Sequence, residues 1–405
     1  MDNNSHFVVG LDIGTENVRS VVLNVDKDSL NVVGYGEIKN NGMRKGIVAD
    51  LTGPAEAIDK MLGEVERMSG YEVNSAFVSI NGSHLLSTKV EGMIAMGSPD
   101  HELTLDDLHR IEEVSVLGRI PANRNVLDLV PIEYRLDGQG GIKDPLGMTG
   151  SRLELKANVI SALTPNCENL SRATENASVH ADRLIPSCVA AGRAVLSPRQ
   201  RENGVALVDL GSATTSVAIY EEGDLQHVGV IPAGSNNITN DLAIVLEIDT
   251  EIAEMLKRKY ATGGELDDKP AILKIGREEH KFDKEKLDEV VKARLNDIFD
   301  RVRKELKSAH YDKRLPEGIV LTGGGAHLRD IDLLAHRTLE ASVRIGLAKN
   351  LGGVADAILK PEYAAAAGLA ILASESAPVA PMRSSSAKPS PKKPLGFFKK
   401  LFSKF

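Results

Sequence analysis

Asp12 and Asp209 each close the same short pattern. Residues 7–23 read FVVGLDIGTENVRSVVL and residues 206–220 read ALVDLGSATTSVAIY: an apolar run, Asp, one apolar residue, Gly, small polar residues, then a second β-rich run. Aligning the two aspartates also aligns Gly14 with Gly211, and LNVVGYGEI from Leu30 and LQHVGVI from Leu225 follow at nearly the same offset. A match over three runs is the mark of a duplicated unit. Thr15, Ser212 and Thr214 supply hydroxyls at the bends, where backbone N–H groups also point outward. Such a bend wraps a polyphosphate, and the neighbouring carboxylate holds a hydrated cation. Two of them facing each other across a cleft make a nucleotide site.

Two further stretches carry groups suited to the rest of a nucleotide. LTGGGA at 321–326 runs a strand into Gly323, Gly324 and Gly325, where missing side chains let backbone approach a flat ring or a sugar. In IAEMLKRKY, Glu254, Lys257 and Arg258 stand at i, i+3 and i+4 of an expected helix. One helix face then offers an acceptor and two cations to a ribose and a purine edge.

The elements that must position these groups follow from the pattern around them. Residues 1–82 read as three strands, a helix at about 54–69 and the strand SAFVSING, and are completed by 161–197, with helices at about 166–178 and 186–196. Residues 83–160 differ in texture. Short strands there flank the helical LTLDDLHRIEEVSVLG, with Thr104 as its cap and Leu105, Leu108, Ile111, Val114, Val116 and Leu117 as an apolar face. This stretch reads as a small α/β subdomain inserted into the first half. Residues 198–235 and 315–373 form the second half, and 236–314 a charged, mostly helical subdomain with a hairpin near AILKIGREEHKF. At 405 residues the chain exceeds what one core usually supports.

Composition narrows the class. Cys167 and Cys188 lack CxxC spacing and read as buried thiols of a reducing compartment. The first residues show no basic segment followed by an apolar run, and no uncharged stretch is long enough to cross a bilayer, so the expected location is cytoplasmic. The chain carries −8 overall, and residues 383–405 hold seven basic residues and no acidic one, which leaves the rest at −15. An acidic body argues against nucleic acid as a partner.

The tail asks for its own explanation. Residues 374–394 are Ser, Ala, Pro and Lys in the main and read as a disordered linker. LGFFKKLFSKF follows, with four of the chain's eight Phe residues. As a helix it gathers Leu395, Phe398, Leu401, Phe402 and Phe405 on one face with Phe397 at its edge, opposite Lys399, Lys400 and Lys404. Aromatic bulk opposite lysine suits the interface of an anionic membrane; a protein-binding helix is the rival reading.

Asp12-Ile-Gly-Thr15, Asp209-Leu-Gly-Ser-Ala-Thr214, IPAGSNNITNDLA at 231–243, AEMLK at 253–257 and LTGGGAHL at 321–328 resemble the phosphate, connecting and adenosine motifs of the actin, Hsp70 and sugar-kinase ATPase superfamily. Within it the chain is most similar to the FtsA family of actin-like bacterial cell-division proteins, above all through GIKDPLGMTGSRLE at 141–154 in the insertion. The resemblance implies an α/β, duplicated actin-like (ribonuclease H-like) ATPase fold with an FtsA-type inserted subdomain and a C-terminal amphipathic helix. It implies ATP and Mg²⁺ as ligands, with Asp12 and Asp209 holding Mg²⁺ through water. Gly14, Thr15, Gly211, Ser212 and Thr214 would line the phosphates, Gly234 would lie near sugar and phosphates, and Glu254, Lys257, Arg258, Gly323, Gly324 and Gly325 would surround the adenosine. Arg19 either reaches the terminal phosphate or forms a surface ion pair. The implied partners are the FtsZ ring, further copies of the chain, the cytoplasmic face of the membrane at the division site, and later division proteins through the insertion.

The chain also departs from the superfamily. The second phosphate loop usually reads Asp-x-Gly-Gly-Gly-Thr-Thr-Asp, whereas Ser212, Ala213 and Ser216 stand here at the second glycine, third glycine and closing Asp. If that loop needs positive φ, Ala213 is strained. The match AVLS at 194–197 puts Arg193 where actin has a water-positioning Gln. No catalytic residue is assigned, so binding or slow ATP turnover is expected. A PilM-like pilus-assembly platform protein and a small-metabolite kinase are the alternatives on the same fold.

Overall fold

The computed structural model describes residues 6–26, 29–98, 100–264, 270–276 and 278–376; the expected membrane helix at 395–405 and its linker beyond Ser376 lie outside them. In the first half come β1 (His6–Ile13), β2 (Asn17–Asp26), β3 (Ser29–Lys39), β4 (Met43–Arg44), β5 (Ile47–Val48), α1 (Thr52–Ser69) and β6 (Ser75–Ile80). The insertion supplies β7 (Leu86–Ala95), α2 (Leu105–Val116), β8 (Arg124–Leu136), β9 (Gln139–Ile142) and β10 (Arg152–Leu163). The chain returns through α3 (Thr164–Asn176), β11 (His180–Pro186), α4 (Ser187–Val195) and α5 (Pro198–Asn203). The second half runs β12 (Val205–Leu210), β13 (Thr215–Glu221), β14 (Asp224–Ile231), α6 (Ser235–Leu246), α7 (Thr250–Tyr260), β15 (Ala271–Ile275), β16 (Glu278–Phe282), α8 (Lys284–Ser308), β17 (Ile319–Thr322), α9 (Ile331–Leu339), β18 (Val343–Ile345), β19 (Gly352–Gly353) and α10 (Ala364–Glu375).

The duplication is visible in the sheets. One has the order β11-β6-β1-β2-β3-β19 and the other β14-β13-β12-β17-β18. In each, three antiparallel strands in sequence order are extended from the first strand by two parallel ones. Between the sheets lie α4 and α10, in a core that takes Val21 and Leu23 from the first half and Leu207 and Ala218 from the second. Small residues make the approach possible. A Cβ on Gly10 would stand 2.2 Å from the Ala366 carbonyl oxygen, and one on Gly368 1.7 Å from that of Ala190.

The insertion is a sheet of order β7-β10-β8-β9 with its own core, covered by α2. Thr104 caps α2 as expected, in a capping box with Asp107. The expected apolar face is corrected. Leu108 and Ile111 are fully buried, but Leu105 and Val114 are exposed and Leu117 is 80% exposed. Ser115 lies against Gly92 of β7 instead, where a glycine Cβ would stand 1.9 Å from the serine Oγ. Close approach at this small pair rotates the outer leucine and valine into solvent. The insertion also reaches the second half: Lys143 Nζ donates to Asp224 at 2.7 Å and Asn158 Nδ2 to the Leu225 carbonyl at 3.0 Å.

Candidate functional site

Both hairpin bends are built alike. The Gly14 N–H donates to the Asn17 carbonyl at 3.0 Å, and the Gly211 N–H to the Thr214 carbonyl at 2.9 Å. Asp12 pairs in register with Arg19, and Asp209 with Ser216, seven residues on in both cases. Glycine is needed at 14 because a Cβ there would lie 2.7 Å from the Asn17 carbonyl oxygen. No left-handed backbone is involved: Gly14, Gly211, Ser212 and Ala213 all have negative φ. The expectation of strain at Ala213 is therefore overturned, since this bend uses conformations open to any L-residue.

The bends face each other across a cleft of about 580 Å³. Of the residues expected there, Asp12, Gly14, Thr15, Arg19, Asp209, Gly211, Ser212, Thr214, Glu254, Lys257, Arg258, Gly323, Gly324 and Gly325 all line it. Gly234 does not. It backs the second bend, where a Cβ would lie 2.6 Å from the carbonyl oxygens of Gly211 and Ser212, and Ser235 reaches the cleft in its place.

The two carboxylates sit at the floor. Burial pushes Asp209 up to about 7, the charge of Asp12 adds to this, and Ser187 pulls the other way. Burial also raises Asp12, against a hydrogen bond from Ser79. Two buried like charges favour a cation between them. Among the described residues no group of three or more His, Cys, Asp or Glu side chains could enclose a metal ion. A hydrated ion held at arm's length by two carboxylates and by ligand phosphates fits this donor set, as Mg²⁺ with its retained waters does.

At the other end the cations are already organised. Glu254 accepts hydrogen bonds from Thr239 at 2.6 Å and Arg258 at 2.8 Å and pairs with Lys257 at 2.6 Å. Burial alone would raise its pKa, but these partners outweigh it and hold it at about 2. Lys257 is buried and also donates to Thr239 Oγ1 and the Ser235 carbonyl.

The three glycines divide their work. Gly323 has φ of 83°, and its Cβ would fall 2.3 Å from Asp209 Oδ1; that of Gly325 would fall 2.4 Å from Leu210 Cγ. Only Gly324 has nothing within 4 Å of an added Cβ, so it is the one that leaves room for a ligand. Arg19 forms the expected ion pair, at the edge of the cleft and largely buried. It lines the cleft, and it donates to Glu37 at 2.8 Å.

Arg193 is corrected. It donates through Nε to Glu375 at the end of α10, at 3.1 Å, and does not line the cleft. The cleft is met by Ser187, the first residue of the same helix. Ser187 and Asn81 were missed in the sequence, as were Glu37, His327 and its partner Glu362.

Paired sheets around two mirrored bends define the actin-like ATPase class of fold. Among solved structures, the PilM–PilN type IV pilus biogenesis complex matches with a TM-score of 0.68 at 17% identity, covering 91% of this chain and 98% of that one. MreB5 of Spiroplasma citri bound to ADP matches at 0.54 and 14%, covering 91% and 96%. At these identities the likeness is one of fold.

Sequence comparison narrows the class to a family. The sequence model for "Cell division protein FtsA" matches residues 206–368, and that for the SHS2 domain inserted in FtsA matches residues 82–161. The cell division protein FtsA of Pseudomonas aeruginosa is 34% identical over 89% of this chain and 88% of its own length. That of Bacillus subtilis is 32% identical over 91% and 83%. The chain belongs to the FtsA family of cell division proteins.

Proposed function

We propose that this protein binds Mg·ATP between the two bends, assembles with further copies of itself, and ties the FtsZ ring to the cytoplasmic face of the membrane through residues 395–405, with later division proteins meeting the inserted subdomain. The observation that carries the nucleotide reading is the pair of bends that place Asp12 and Asp209 together at the floor of one cleft. Amides and hydroxyls of Thr15, Ser212 and Thr214 would take the phosphates, and Asp12 and Asp209 would hold the waters of Mg²⁺. The preformed Glu254–Lys257–Arg258 cluster would meet the sugar and base, with Gly324 leaving the space they need. Bound Mg²⁺ supplies charge neutralisation between the phosphates.

Turnover is proposed to be slow. Arg193 is held by Glu375, and the side chain that α4 presents to the cleft, the Ser187 hydroxyl, is short and weakly basic. ADP in the MreB5 structure and membership of the FtsA family support the reading. Calorimetric titration with Mg·ATP tests it: binding by the unaltered protein, weakened at least tenfold by Asp12→Ala or Asp209→Ala, a loss of about 1.4 kcal/mol or more, is the expected result. Undiminished affinity in both variants refutes the site.

A further inference from the structure

Asn81 is the residue between β6 of the first half and the inserted subdomain, whose family match begins at residue 82. Its side chain crosses to the second half. Oδ1 accepts from the Gly82 N–H at 2.8 Å and from Ser216 Oγ at 3.0 Å, and Nδ2 donates to Thr214 Oγ1 at 3.2 Å. The amide orientation is fixed by chemistry, because the Gly82 N–H has to meet the oxygen. Thr214 Oγ1, filled on one side by the Asn81 amide, keeps its proton for a group in the cleft.

The first bend reaches the same point. Thr15 Oγ1 accepts from the Gly46 N–H at 3.0 Å, and Gly46 lies so close to Gly82 that a Cβ on it would stand 3.0 Å from the Gly82 nitrogen. Gly82 itself has φ of 121°, and its own Cβ would meet Ile47 Cγ2 at 2.8 Å. A threonine from each bend thus connects, through one intermediate, to a glycine that no other residue replaces without strain. From there the chain enters β7. The insertion's second attachment, Lys143 to Asp224 and Asn158 to Leu225, grips the start of β14, which pairs with the far end of β13, the strand whose near end holds Asn81 through Ser216.

We propose that Asn81 is a positioning residue that transmits phosphate occupancy of the cleft to the pose of the inserted subdomain. This rests on the nucleotide reading above. Phosphate drawing on the hydroxyls of Thr15 and Thr214 shifts both bends, and Asn81 and Gly46 pass the shift to the Gly82 joint.

Hydrogen–deuterium exchange of the full chain, with and without saturating Mg·ATP, tests the coupling. In the unaltered protein, nucleotide is expected to change exchange at residues 82–95 as well as at the two bends. Asn81→Ala is expected to keep the change at the bends and lose most of it at 82–95. Asn81→Asp keeps the oxygen for Gly82 and Ser216 but takes the Thr214 proton, so it should weaken Mg·ATP binding while retaining part of the response at 82–95. Should Asn81→Ala fail to fold, Thr214→Val cuts the same bridge from the other side. Because Thr214 also faces the phosphates, it is compared at Mg·ATP concentrations that bring the exchange change at the two bends to saturation, and the response at 82–95 should then be lost likewise. A full response at 82–95 in either variant overturns the proposal, as does a wild type that binds Mg·ATP without any response there. Absence of Mg·ATP binding by the wild type overturns the nucleotide reading and the coupling with it.

Discussion

Burial, and then the charge of Asp12, raise the pKa of Asp209, the residue at the same place as Asp12 in the second copy of the hairpin. Duplication has brought two acidic groups, each harmless at the tip of its own bend, to one buried floor. The arrangement costs stability that a bound cation would relieve, which is how a binding site differs from a structural ion pair.

Asp209→Asn should therefore separate stability from binding. Removing one of the two charges is expected to raise the melting temperature of the nucleotide-free protein at pH 7.5 while weakening Mg·ATP binding about tenfold or more, ~1.4 kcal/mol. Scanning calorimetry without nucleotide reads the first effect and titration the second. A variant that loses both stability and binding would show that Asp209 is held by partners in the protein.

A second buried carboxylate gives a pH dependence outside the cleft. Asp128 on β8 is pushed up to about 6, mainly by burial, against the pull of Arg183 and the Leu129 N–H. Its folded pKa exceeds the ordinary value of 3.8, so the folded state keeps a proton that the unfolded chain has released. Stability from this group thus falls as pH rises from about 4 to about 6, and the full penalty remains above that. Asp128→Asn should flatten the slope and stabilise the protein at pH 7 by on the order of 3 kcal/mol. Denaturant midpoints at pH 4, 5, 6 and 7 check it; equal slopes in both proteins would contradict it.

Two glycines offer opposite outcomes. Gly10→Ala forces a methyl into the Ala366 carbonyl and should destabilise by about 1–3 kcal/mol or more. Gly324→Ala meets no atom, so it should leave thermal stability alone while its methyl projects toward ligand space and lowers nucleotide affinity. Reversal of the two stability effects would mean the packing between β1 and α10 is looser than the distances indicate.

The second bend can be tested for strain directly. Ser212 and Ala213 both have negative φ, so Gly at both positions should cost stability through the unfolded chain's added freedom, about 0.4–1 kcal/mol at each. A gain in melting temperature would restore the strained reading.

What could be read in the sequence was what the chain encodes within a few residues. The Asp-x-Gly bends, the Thr104 cap and the Glu254–Lys257–Arg258 face each depend on backbone geometry over one turn. Asn81 and Ser187 were not legible, because they enter the cleft at the ends of β6 and β11, and only the parallel pairing of β6 with β1 and of β11 with β6 brings the ends there. Arg193 misled for a related reason. The AVLS match is real as letters, but α4 presents its first residue to the cleft, so a residue near its end is paired with α10 instead. At α2, periodicity marked Leu105 and Val114 as inward, and the close seat of Ser115 on Gly92 turned them out.

On the proposed membrane role, attachment should reside in residues 395–405, where LGFFKKLFSKF sets Phe and Leu opposite lysines. Each Phe or Leu buried in the interface contributes roughly 1.5–3 kcal/mol, and each lysine near anionic lipid about 1 kcal/mol. Ordering an eleven-residue helix offsets much of this, at about 1–2 kcal/mol per residue. One tail should then bind reversibly, and an assembly carrying many tails far more tightly through effective concentration. Phe398→Glu with Phe402→Glu puts two charges on the apolar face and should abolish cosedimentation with anionic vesicles in the presence of Mg·ATP. Lys399→Gln with Lys400→Gln keeps that face and should only weaken binding and reduce its salt dependence. Equal cosedimentation of the wild type and the double Glu variant would move the anchor elsewhere and leave the tail as a protein-docking helix.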